Sequence, residues 1–315
     1  MLNRRHLRIK VLQALYAFSL SKNENAVAGE KELLHSVSKM YDMYIYFLLI
    51  FDDLSNFANL RIEEAKRKRI PTKENLNPNM RFVNNKLIGQ LSVNGSLKKA
   101  SEKASANWIG DIEQDMLKKM FIYLSETDLF LDYMQKESSD YKSDKNFIVQ
   151  LFKKEICNFE LLHNFFEDRS IYWQDDMDHI CSMVLKTLKS FEEDTDEFHS
   201  ISDLYKDDEK DYIIQLFHKS IKLESENLKM INSYTKNWDS DRLAKMDILL
   251  MNLAITEAKE FSSIPLKVTL NEYIEISKFY STPKSNGFIN GVLDKVFIEL
   301  KNDGAINKVG RGLME

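Results

Sequence analysis

The sequence predicts an all-α protein, and three observations support this fold class. The 315 residues include only nine glycines and four prolines, so strong breakers are few. Leu, Lys, Glu, Met, Ile and Phe recur at helical spacing, which favours long helices joined by short loops over sheets. Apolar residues make up 43 % of the chain, including 11 % aromatic residues, which is enough for a buried core in one large or two ordinary domains.

The first helix is predicted near the N-terminus and is expected to be well buried. Its apolar side chains follow the i, i+4, i+7, i+8, i+11 spacing of one helix face, and they are Leu7, Val11, Ala14, Leu15 and Phe18. A polar loop is predicted at 21–30, followed by an aromatic-rich helix from about residue 31 to residue 68.

The middle of the chain alternates helical patterns with polar breaks. Prolines and asparagines mark a break at 70–79, and the small, lysine-rich residues 92–107 are expected to be flexible. Between the breaks and up to an acidic connection at 192–203, helices are predicted at 108–124, 147–166 and 177–191. Because this region is rich in Phe and Trp, we expect it to be globular and helical rather than a solvated spacer.

The last third contains a helical pattern at 212–231 and three more between Trp238 and Leu300. In the first of those three, Leu243, Met246, Leu250 and Leu253 lie on one face. Thr269 stands three residues before Glu272, the spacing of a helix-starting capping box. The glycine of Asn290-Gly291, inside the last helix, indicates close approach of another backbone, either within the domain or from a partner protein. The tail after Leu300 is expected to be mobile.

Charge is unevenly distributed along the chain. The net charge of −5 argues by itself against non-specific nucleic-acid binding. Residues 1–22, however, carry five Lys or Arg and no acid, and residues 61–103 carry eleven Lys or Arg against four Glu. Residues 164–211 carry fifteen acids against five bases. The basic groups are therefore concentrated in the first third of the chain.

Three arginines, Arg4, Arg5 and Arg8, stand where the first helix begins. Cations are mildly unfavourable at this positive end of the helix dipole, so stability alone does not explain them. Guanidinium groups beside free backbone N–H groups suit phosphate oxygens, and His6 and Tyr16 offer stacking surfaces for unpaired bases. The alternative is a solvated basic start without a function.

Three stretches of the sequence carry a family resemblance. Arg4-Arg5-His6-Leu7-Arg8 runs into Gln13-Ala14-Leu15-Tyr16, and the C-terminal part contains N-E-Y-I-E-I-S-K-F-Y and F-I-N-G-V-L-D-K in order. The chain thereby resembles the NusB family of transcription antitermination factors over about residues 3–23 and 208–300. The resemblance implies an all-helical protein of two small bundles that binds single-stranded boxA RNA together with the small-subunit ribosomal protein NusE, within the transcription elongation machinery. Such complexes support antitermination and the synthesis and maturation of ribosomal RNA.

The resemblance implies that Arg4, Arg5 and Arg8 contact the boxA RNA, and the chemistry of other residues adds further candidates. The residues expected to contact RNA are Arg4, Arg5, His6, Arg8, Lys10 and Tyr16. Those expected to contact the partner protein are Glu275, Phe279, Tyr280, Phe288 and Asn290. Asn252 is a departure, because many relatives have an arginine there, which bears on RNA contact.

The predicted organisation follows from the same resemblance. Residues 1–24 form the first helix of the NusB-like bundle, 25–204 an inserted helical region, 205–300 the C-terminal bundle and 301–315 a tail. The basic run 61–69 within the insertion reads R-I-E-E-A-K-R-K-R, which fits a solvated helix face or an added RNA surface. A protein-interaction scaffold without RNA binding of its own is the alternative function.

The sequence offers little material for catalysis, so no enzyme and no cofactor are predicted. The six histidines and two cysteines lack metal-binding spacing, and no glycine-rich nucleotide-binding motif or G-x-S-x-G occurs. Two cysteines cannot make a disulfide framework, and the longest apolar stretch, 43–51, is too short to cross a bilayer. A cytoplasmic protein without membrane contact is expected.

Overall fold

The computed structural model describes residues 3–21, 25–136, 140–173, 175–206, 208–235 and 244–313, and this part of the chain is all-α. The predicted fold class is confirmed. No strand occurs among the described residues, which form fourteen α-helices. These are α1 Arg4–Leu20, α2 Ala26–Lys66, α3 Lys73–Leu76, α4 Lys86–Val93, α5 Gly95–Ala104, α6 Asp111–Ser125, α7 Asp128–Gln135, α8 Tyr141–Lys154, α9 Glu160–Arg169, α10 Met177–Ser190, α11 Glu209–Tyr234, α12 Lys245–Glu260, α13 Leu266–Tyr280 and α14 Ser285–Asn302.

The chain divides into two compact units. One, here called the terminal unit, consists of Leu2–Val37 and Tyr205–Glu315. The other, the central unit, consists of Ser38–Leu204. The 41-residue helix α2 contributes its beginning to the terminal unit and the rest to the central unit. The expected organisation ended the N-terminal segment at residue 24, and the structure differs because the first part of α2 packs with the terminal unit.

The central unit has an aromatic core. Trp108 is 1 % exposed, stacks on Phe165 with ring centroids 5.2 Å apart, and donates its indole N–H to the Tyr46 carbonyl at 3.0 Å. The rings of Phe47 and Phe152 meet edge to face at 5.4 Å. Burial of these large side chains supplies the apolar area that a unit of this size needs. The helices from α2 to α10 confirm the prediction that this part of the chain is helical.

Several predicted elements of the central unit differ in detail. Residues 92–107 were expected to be flexible, but they contain the end of α4 and the whole of α5. Their helices begin at Asn85 and Asn94, whose side-chain oxygens accept hydrogen bonds from free backbone N–H groups. The helix predicted at 147–166 is two helices, α8 and α9, separated by a 3-10 turn at Ile156–Asn158. Trp108 precedes α6 rather than lying in it.

The terminal unit packs α1, the start of α2 and α11–α14 around one core. The buried face of α1 includes Leu7, Val11 and Leu15 as predicted. Gly29 of α2 lies against Phe217 of α11, so that a Cβ at position 29 would come within 2.6 Å of the Phe217 ring. The residues predicted for the inner face of α12 include Leu250 and Leu253, both fully buried. Leu243 lies outside the described residues.

Up to residue 313, the chain after α14 is not the mobile tail that the sequence predicts. The Val309 N–H donates to the Ser262 carbonyl at 3.1 Å, and the Lys308 ammonium donates to the Phe261 carbonyl at 2.9 Å. Gly312 packs so closely that an added Cβ would lie 2.0 Å from the Ser262 oxygen. These contacts fix the segment 308–313 on the loop between α12 and α13. The prediction of mobility is wrong because the segment is held by Phe261 and Ser262, which are remote from it in the sequence.

Among the described helices, none combines the length and the apolar composition that crossing a membrane requires.

Candidate functional site

The candidate site is the first turn of α1, in the terminal unit. Asn3 caps this helix, since its side-chain oxygen accepts a hydrogen bond from the His6 N–H at 3.0 Å. The cap fixes the start of α1 at Arg4 and places Arg4, Arg5 and Arg8 in its first two turns. The three guanidinium groups nevertheless have different surroundings.

Arg4 lies at the surface. Its Nη2 is 2.6 Å from Asp208 Oδ2, and its guanidinium lies 4.9 Å from the centre of the Tyr212 ring. The side chains of Arg4 and Asp208 are 36 % and 71 % exposed. An ion pair of this exposure contributes about 0–1 kcal/mol, so Arg4 can change partners at little cost.

Arg5 is also accessible, although its ion pair is better formed. Its Nε and Nη2 both donate to the carboxylate of Glu272 at 2.9 Å, and its side chain is 41 % exposed. The hydrogen bond with Glu272 raises the pKa of Arg5, which stays charged at any physiological pH. Arg4 and Arg5 therefore present two permanent cations at the start of α1.

Arg8 is buried, with 2 % of its side chain exposed. Its Nε and Nη2 donate to the two carboxylate oxygens of Glu257 in α12 at 2.7 and 2.9 Å. Its Nη1 lies 3.7 Å from Glu272, the residue that also binds Arg5. A bidentate pair of this geometry compensates two charges that would otherwise be costly to bury.

Glu257 is the centre of this buried cluster and is fully enclosed. Besides Arg8, it accepts hydrogen bonds from the Tyr212 hydroxyl at 2.5 Å, from the Thr269 hydroxyl at 2.7 Å and from the Tyr273 hydroxyl at 3.4 Å. Burial alone would raise the pKa of Glu257. The charge of Arg8 and the hydrogen bonds from Arg8, Tyr212 and Thr269 outweigh burial and lower this pKa below its ordinary value.

This arrangement gives no support to the prediction that Arg8 and Lys10 hold RNA phosphates. The Arg8 donors already bind Glu257, and Lys10 is only 3 % exposed. Both residues lie on the side of α1 that packs into the terminal unit, next to Leu7 and Val11. Basic side chains are usually exposed, but Arg8 is buried because it pairs with the buried carboxylate of Glu257.

His6 and Tyr16 are accessible in part. Burial, followed by the charges of Arg5 and Lys10, lowers the pKa of His6 to about 4. His6 is therefore a neutral ring at neutral pH and adds no positive charge to the site. Tyr16 is 37 % exposed and lies roughly 18 Å beyond Arg4 along the helix axis. The structure thus brings Arg4, Arg5 and His6 together at one end of α1, with Tyr16 near the other.

Glu257 was missed at the sequence level, although a signal for it was present. The apolar stripe of α12 runs through Leu250 and Leu253, and the next position on that face is Glu257. A carboxylate that continues an apolar stripe must find a buried cation, and Arg8 continues the apolar stripe of α1 in the same way. Arg8 and Glu257, the two charged residues on otherwise apolar helix faces, form an ion pair with each other.

The expected capping box at Thr269 and Glu272 is wrong for a related reason. Helix α13 begins at Leu266 after Pro265, so Thr269 is inside it. The Thr269 hydroxyl is fully buried and donates to Glu257, while Glu272 binds Arg5. Both side chains belong to the charge cluster rather than to a helix cap.

Asn252 does not face the surface. It is 2 % exposed, donates to the Ser220 carbonyl at 3.0 Å and accepts a hydrogen bond from Asn227 at 2.8 Å. Asn252 therefore joins α12 to α11 inside the terminal unit. At this depth its side chain does not reach the solvent.

The residues expected to contact a partner protein lie on α13 and α14. Phe279 is the most exposed of them at 81 %, whereas Tyr280, Phe288 and Asn290 are half-buried. Glu275 is half-buried and forms an ion pair with Lys278. Gly291 is exposed, and apart from its chain neighbours and the adjacent backbone of its own helix no described atom lies within 4 Å of where its Cβ would be. The close backbone approach predicted at Gly291 is therefore absent within the described part of this chain.

No group of three His, Cys, Asp or Glu side chains in the described residues is placed to hold a metal ion.

Comparison with known proteins identifies the family of the C-terminal part. Residues 177–297 match the NusB family, a range that extends from α10 to α14. Transcription antitermination protein NusB of Salinibacter ruber is 40 % identical over 105 residues, 33 % of this chain and 66 % of the relative. The same-named protein of Chloroherpeton thalassium is 40 % identical over 106 residues, 34 % of this chain and 50 % of the relative. That of Natranaerobius thermophilus is 44 % identical over 78 residues, 24 % of this chain and 56 % of the relative.

These matches span about half to two thirds of the relatives' length. The family match does not reach α1 and begins before residue 205, the expected start of the C-terminal bundle. No solved structure matches the chain significantly. The aligned residues nevertheless include the whole of α11–α13 and most of α14, the helices that surround Glu257. The chain therefore carries a NusB-family domain at residues 177–297.

Proposed function

We propose that this protein is a non-enzymatic transcription antitermination factor of the NusB type. It binds single-stranded boxA-type RNA together with the NusE ribosomal protein, in contact with the transcription elongation machinery. It thereby supports the transcription and maturation of ribosomal RNA. Its action is binding rather than catalysis, and its expected location, the cytoplasm, stays a prediction.

One structural observation carries the RNA-binding part of this proposal: Arg4 and Arg5 are accessible at the start of α1. In the described residues, Arg4 uses only Nη2 for its ion pair, and Arg5 leaves Nη1 without a hydrogen bond. Phosphate oxygens can therefore bind these guanidinium groups from the solvent side, or replace Asp208 on Arg4. The relatives named as antitermination proteins support the same function.

The buried cluster positions this surface. Glu272 binds Arg5 and approaches Arg8, and Arg8 binds Glu257 at the centre of the terminal unit. The orientation of α1 is therefore fixed by α12 and α13, and Glu272 holds Arg5 in place before RNA arrives. Preorganised cations lose less side-chain freedom on binding than flexible ones do.

Partner binding is assigned to the exposed part of α13 and α14. Phe279 is a large apolar side chain that the described residues leave in contact with solvent. Aromatic residues of this exposure are typical of protein interfaces. Glu275, Tyr280, Phe288 and Asn290 lie on the same two helices and complete the proposed NusE surface.

A protein-interaction scaffold without RNA binding is the second candidate. This candidate is favoured because the arginines of α1 already form ion pairs with acidic residues of the chain. The pairs are Arg4–Asp208, Arg5–Glu272 and Arg8–Glu257. A scaffold would use Phe279 and its neighbours but would need no free cation.

An electrophoretic shift experiment with a short boxA RNA separates the two candidates. The native chain is measured with and without purified NusE, beside a variant carrying Arg4→Gln and Arg5→Gln. The proposed function predicts a shift that strengthens with NusE and weakens in the variant. Capture of NusE without any RNA shift would establish the scaffold instead.

A further inference from the structure

The central unit contains an aromatic cavity that the proposed function does not use. Its volume is about 250 Å³, and it lies between the end of α2, the segment 74–83 and helices α6 and α7. Three rings, those of Phe82, Phe121 and Phe130, contribute to its wall, with centroids 5.1 to 6.1 Å apart. This volume is below the range typical of pockets for drug-sized molecules, so it suits one planar group.

The lining of the cavity carries one basic and one acidic side chain, Arg61 and Glu74. Arg61 is exposed, lines the cavity and holds its guanidinium 5.8 Å from the centre of the Phe121 ring. Phe121 is half-buried, so part of this ring remains accessible. An aromatic face beside a guanidinium plane is the combination on which proteins stack unpaired nucleobases. Asn75, also at the wall, supplies an amide for the edge of a base.

A basic segment borders the same cavity. Residues 66–73 connect two of its walls, one ending at Ala65 and the other beginning at Glu74, so both ends of the segment lie at the cavity. Arg67, Lys68 and Arg69 within it are exposed and form no ion pair in the described part of the chain. Basic residues after a helix also favour its dipole, but that effect fades within one turn and does not explain an aromatic cavity beside them.

We propose that the cavity and the segment 66–69 form a single-stranded RNA site in the central unit, with one base in the cavity and the neighbouring phosphates on Arg67, Lys68 and Arg69. The site is separate from the arginines of α1 and goes beyond the function proposed above. The positive charges of Arg67, Lys68 and Arg69 favour binding of a polyanion. The aromatic wall of the cavity favours a polyanion whose bases are unpaired. RNA in duplex form keeps its bases stacked and does not enter.

The test uses the full chain carrying Arg4→Gln and Arg5→Gln, so that α1 does not contribute. The probe is a fluorescein-labelled 12-nucleotide RNA of alternating adenosine and cytidine, and its affinity is measured by anisotropy. One variant fills the cavity with Ala65→Leu, a second removes the guanidinium with Arg61→Met, and a third reverses charge with Arg67→Glu and Lys68→Glu. Lys186→Glu with Lys189→Glu, two exposed positions on α10 outside the lining residues, is the charge-matched control.

We expect the first two variants to weaken RNA binding about five- to a hundredfold, the range that loss of one stacked base gives. The charge-reversal variant should also reduce the salt dependence of binding, whereas Lys186→Glu with Lys189→Glu should change affinity less than twofold. Equal melting temperatures show that the variants fold. Two independent cavity variants are used so that a misfolded Ala65→Leu chain does not decide the result.

Three outcomes would overturn the proposal. One is absence of RNA binding by the chain that carries Arg4→Gln and Arg5→Gln. RNA binding by the arginines of α1 would then still be tested separately, on the native chain. Another is unchanged affinity in both cavity variants. The last is equally tight binding of a glutamate-rich, phenylalanine-containing peptide that Ala65→Leu abolishes, which would make an acidic protein the occupant. Crosslinks that map to 61–83 or Phe121, made with the same RNA after one cytidine is replaced by 4-thiouridine, would support the RNA site directly.

Discussion

Arg8 and Glu257, separated by 249 positions in the sequence, form a bidentate ion pair that is almost completely buried. The pair connects α1 to α12 and thereby joins the N-terminal helix to the C-terminal bundle of the terminal unit. Because Tyr212, Thr269 and Tyr273 also bind the carboxylate, the cluster includes side chains from α11 and α13. Four helices therefore depend on one carboxylate.

Replacing Glu257 by Gln should destabilise the terminal unit by about 3–5 kcal/mol, because it leaves the Arg8 charge buried without a counter-charge. The double variant Arg8→Met with Glu257→Leu should recover only part of this loss, since it removes both charges together but leaves the buried hydroxyls of Tyr212, Thr269 and Tyr273 without their acceptor. The free energy of unfolding in urea measures both. A cost below about 1 kcal/mol for Glu257→Gln would mean that the pair is solvated rather than buried.

His6 should make stability depend on pH in a defined window. Its pKa falls from 6.5 in the unfolded chain to about 4 in the folded protein, so the unfolded state takes up the proton first. The contribution of His6 to the free energy of unfolding is complete above pH 6.5 and is lost as the pH falls towards 4. His6→Asn should flatten the pH dependence in that window. An identical pH profile for the variant and the native chain would show that His6 is solvated in the folded state.

Gly312→Ala should detach the segment 309–313 from the loop between α12 and α13. A methyl group there would overlap the Ser262 oxygen, and backbone atoms cannot move aside as a flexible side chain can. The Val309 amide should then lose its protection from hydrogen exchange. Gly291→Ala is the matched control, because the space around it is open and alanine favours a helix by about 1 kcal/mol. Unchanged protection at Val309 would contradict the close packing.

Phe279→Ala should reduce capture of NusE in a pull-down without lowering the melting temperature. The side chain is 81 % exposed, so its removal costs little internal packing. Tyr280→Ala provides the comparison, since this residue is half-buried and accepts a 3.4 Å hydrogen bond from Gln13. Tyr280→Ala should lower stability as well as capture. Full NusE capture by Phe279→Ala would place the partner surface elsewhere.

The periodicity of apolar residues was enough to predict the fold class and the buried faces of α1 and α12. It predicted where helices occur better than where they begin and end. Helix ends depend on caps such as Asn94 and on turns such as 156–158. The segment 92–107 was misjudged for this reason: its composition is polar, but Asn85 and Asn94 provide side-chain oxygens that start two helices. The segment 308–313 was misjudged because its partner carbonyls, those of Phe261 and Ser262, are remote in sequence.

The candidate site was predicted only in part. The sequence indicates that Arg4, Arg5 and Arg8 stand together at a helix start, and the structure agrees on that placement. Which of the three reaches solvent depends on the acids that face them, and Asp208, Glu257 and Glu272 come from three different helix regions. Local spacing contains no information about such long-range pairs. A charged residue on an apolar stripe was the one available sign that Arg8 is buried.

The salt dependence of RNA affinity tests the central claim most directly: Arg4 and Arg5 contact phosphates and Arg8 does not. A short boxA RNA is titrated with the native chain, with Arg4→Gln plus Arg5→Gln, and with Arg8→Met plus Glu257→Leu, over a series of salt concentrations. Loss of two phosphate contacts should reduce the slope of log affinity against log salt by about 1.4, because each contact with a single strand contributes about 0.7. The Arg8→Met plus Glu257→Leu chain should keep the native slope. An unchanged slope for the Arg4 and Arg5 variant, or a reduced slope for the Arg8 variant, would contradict the account.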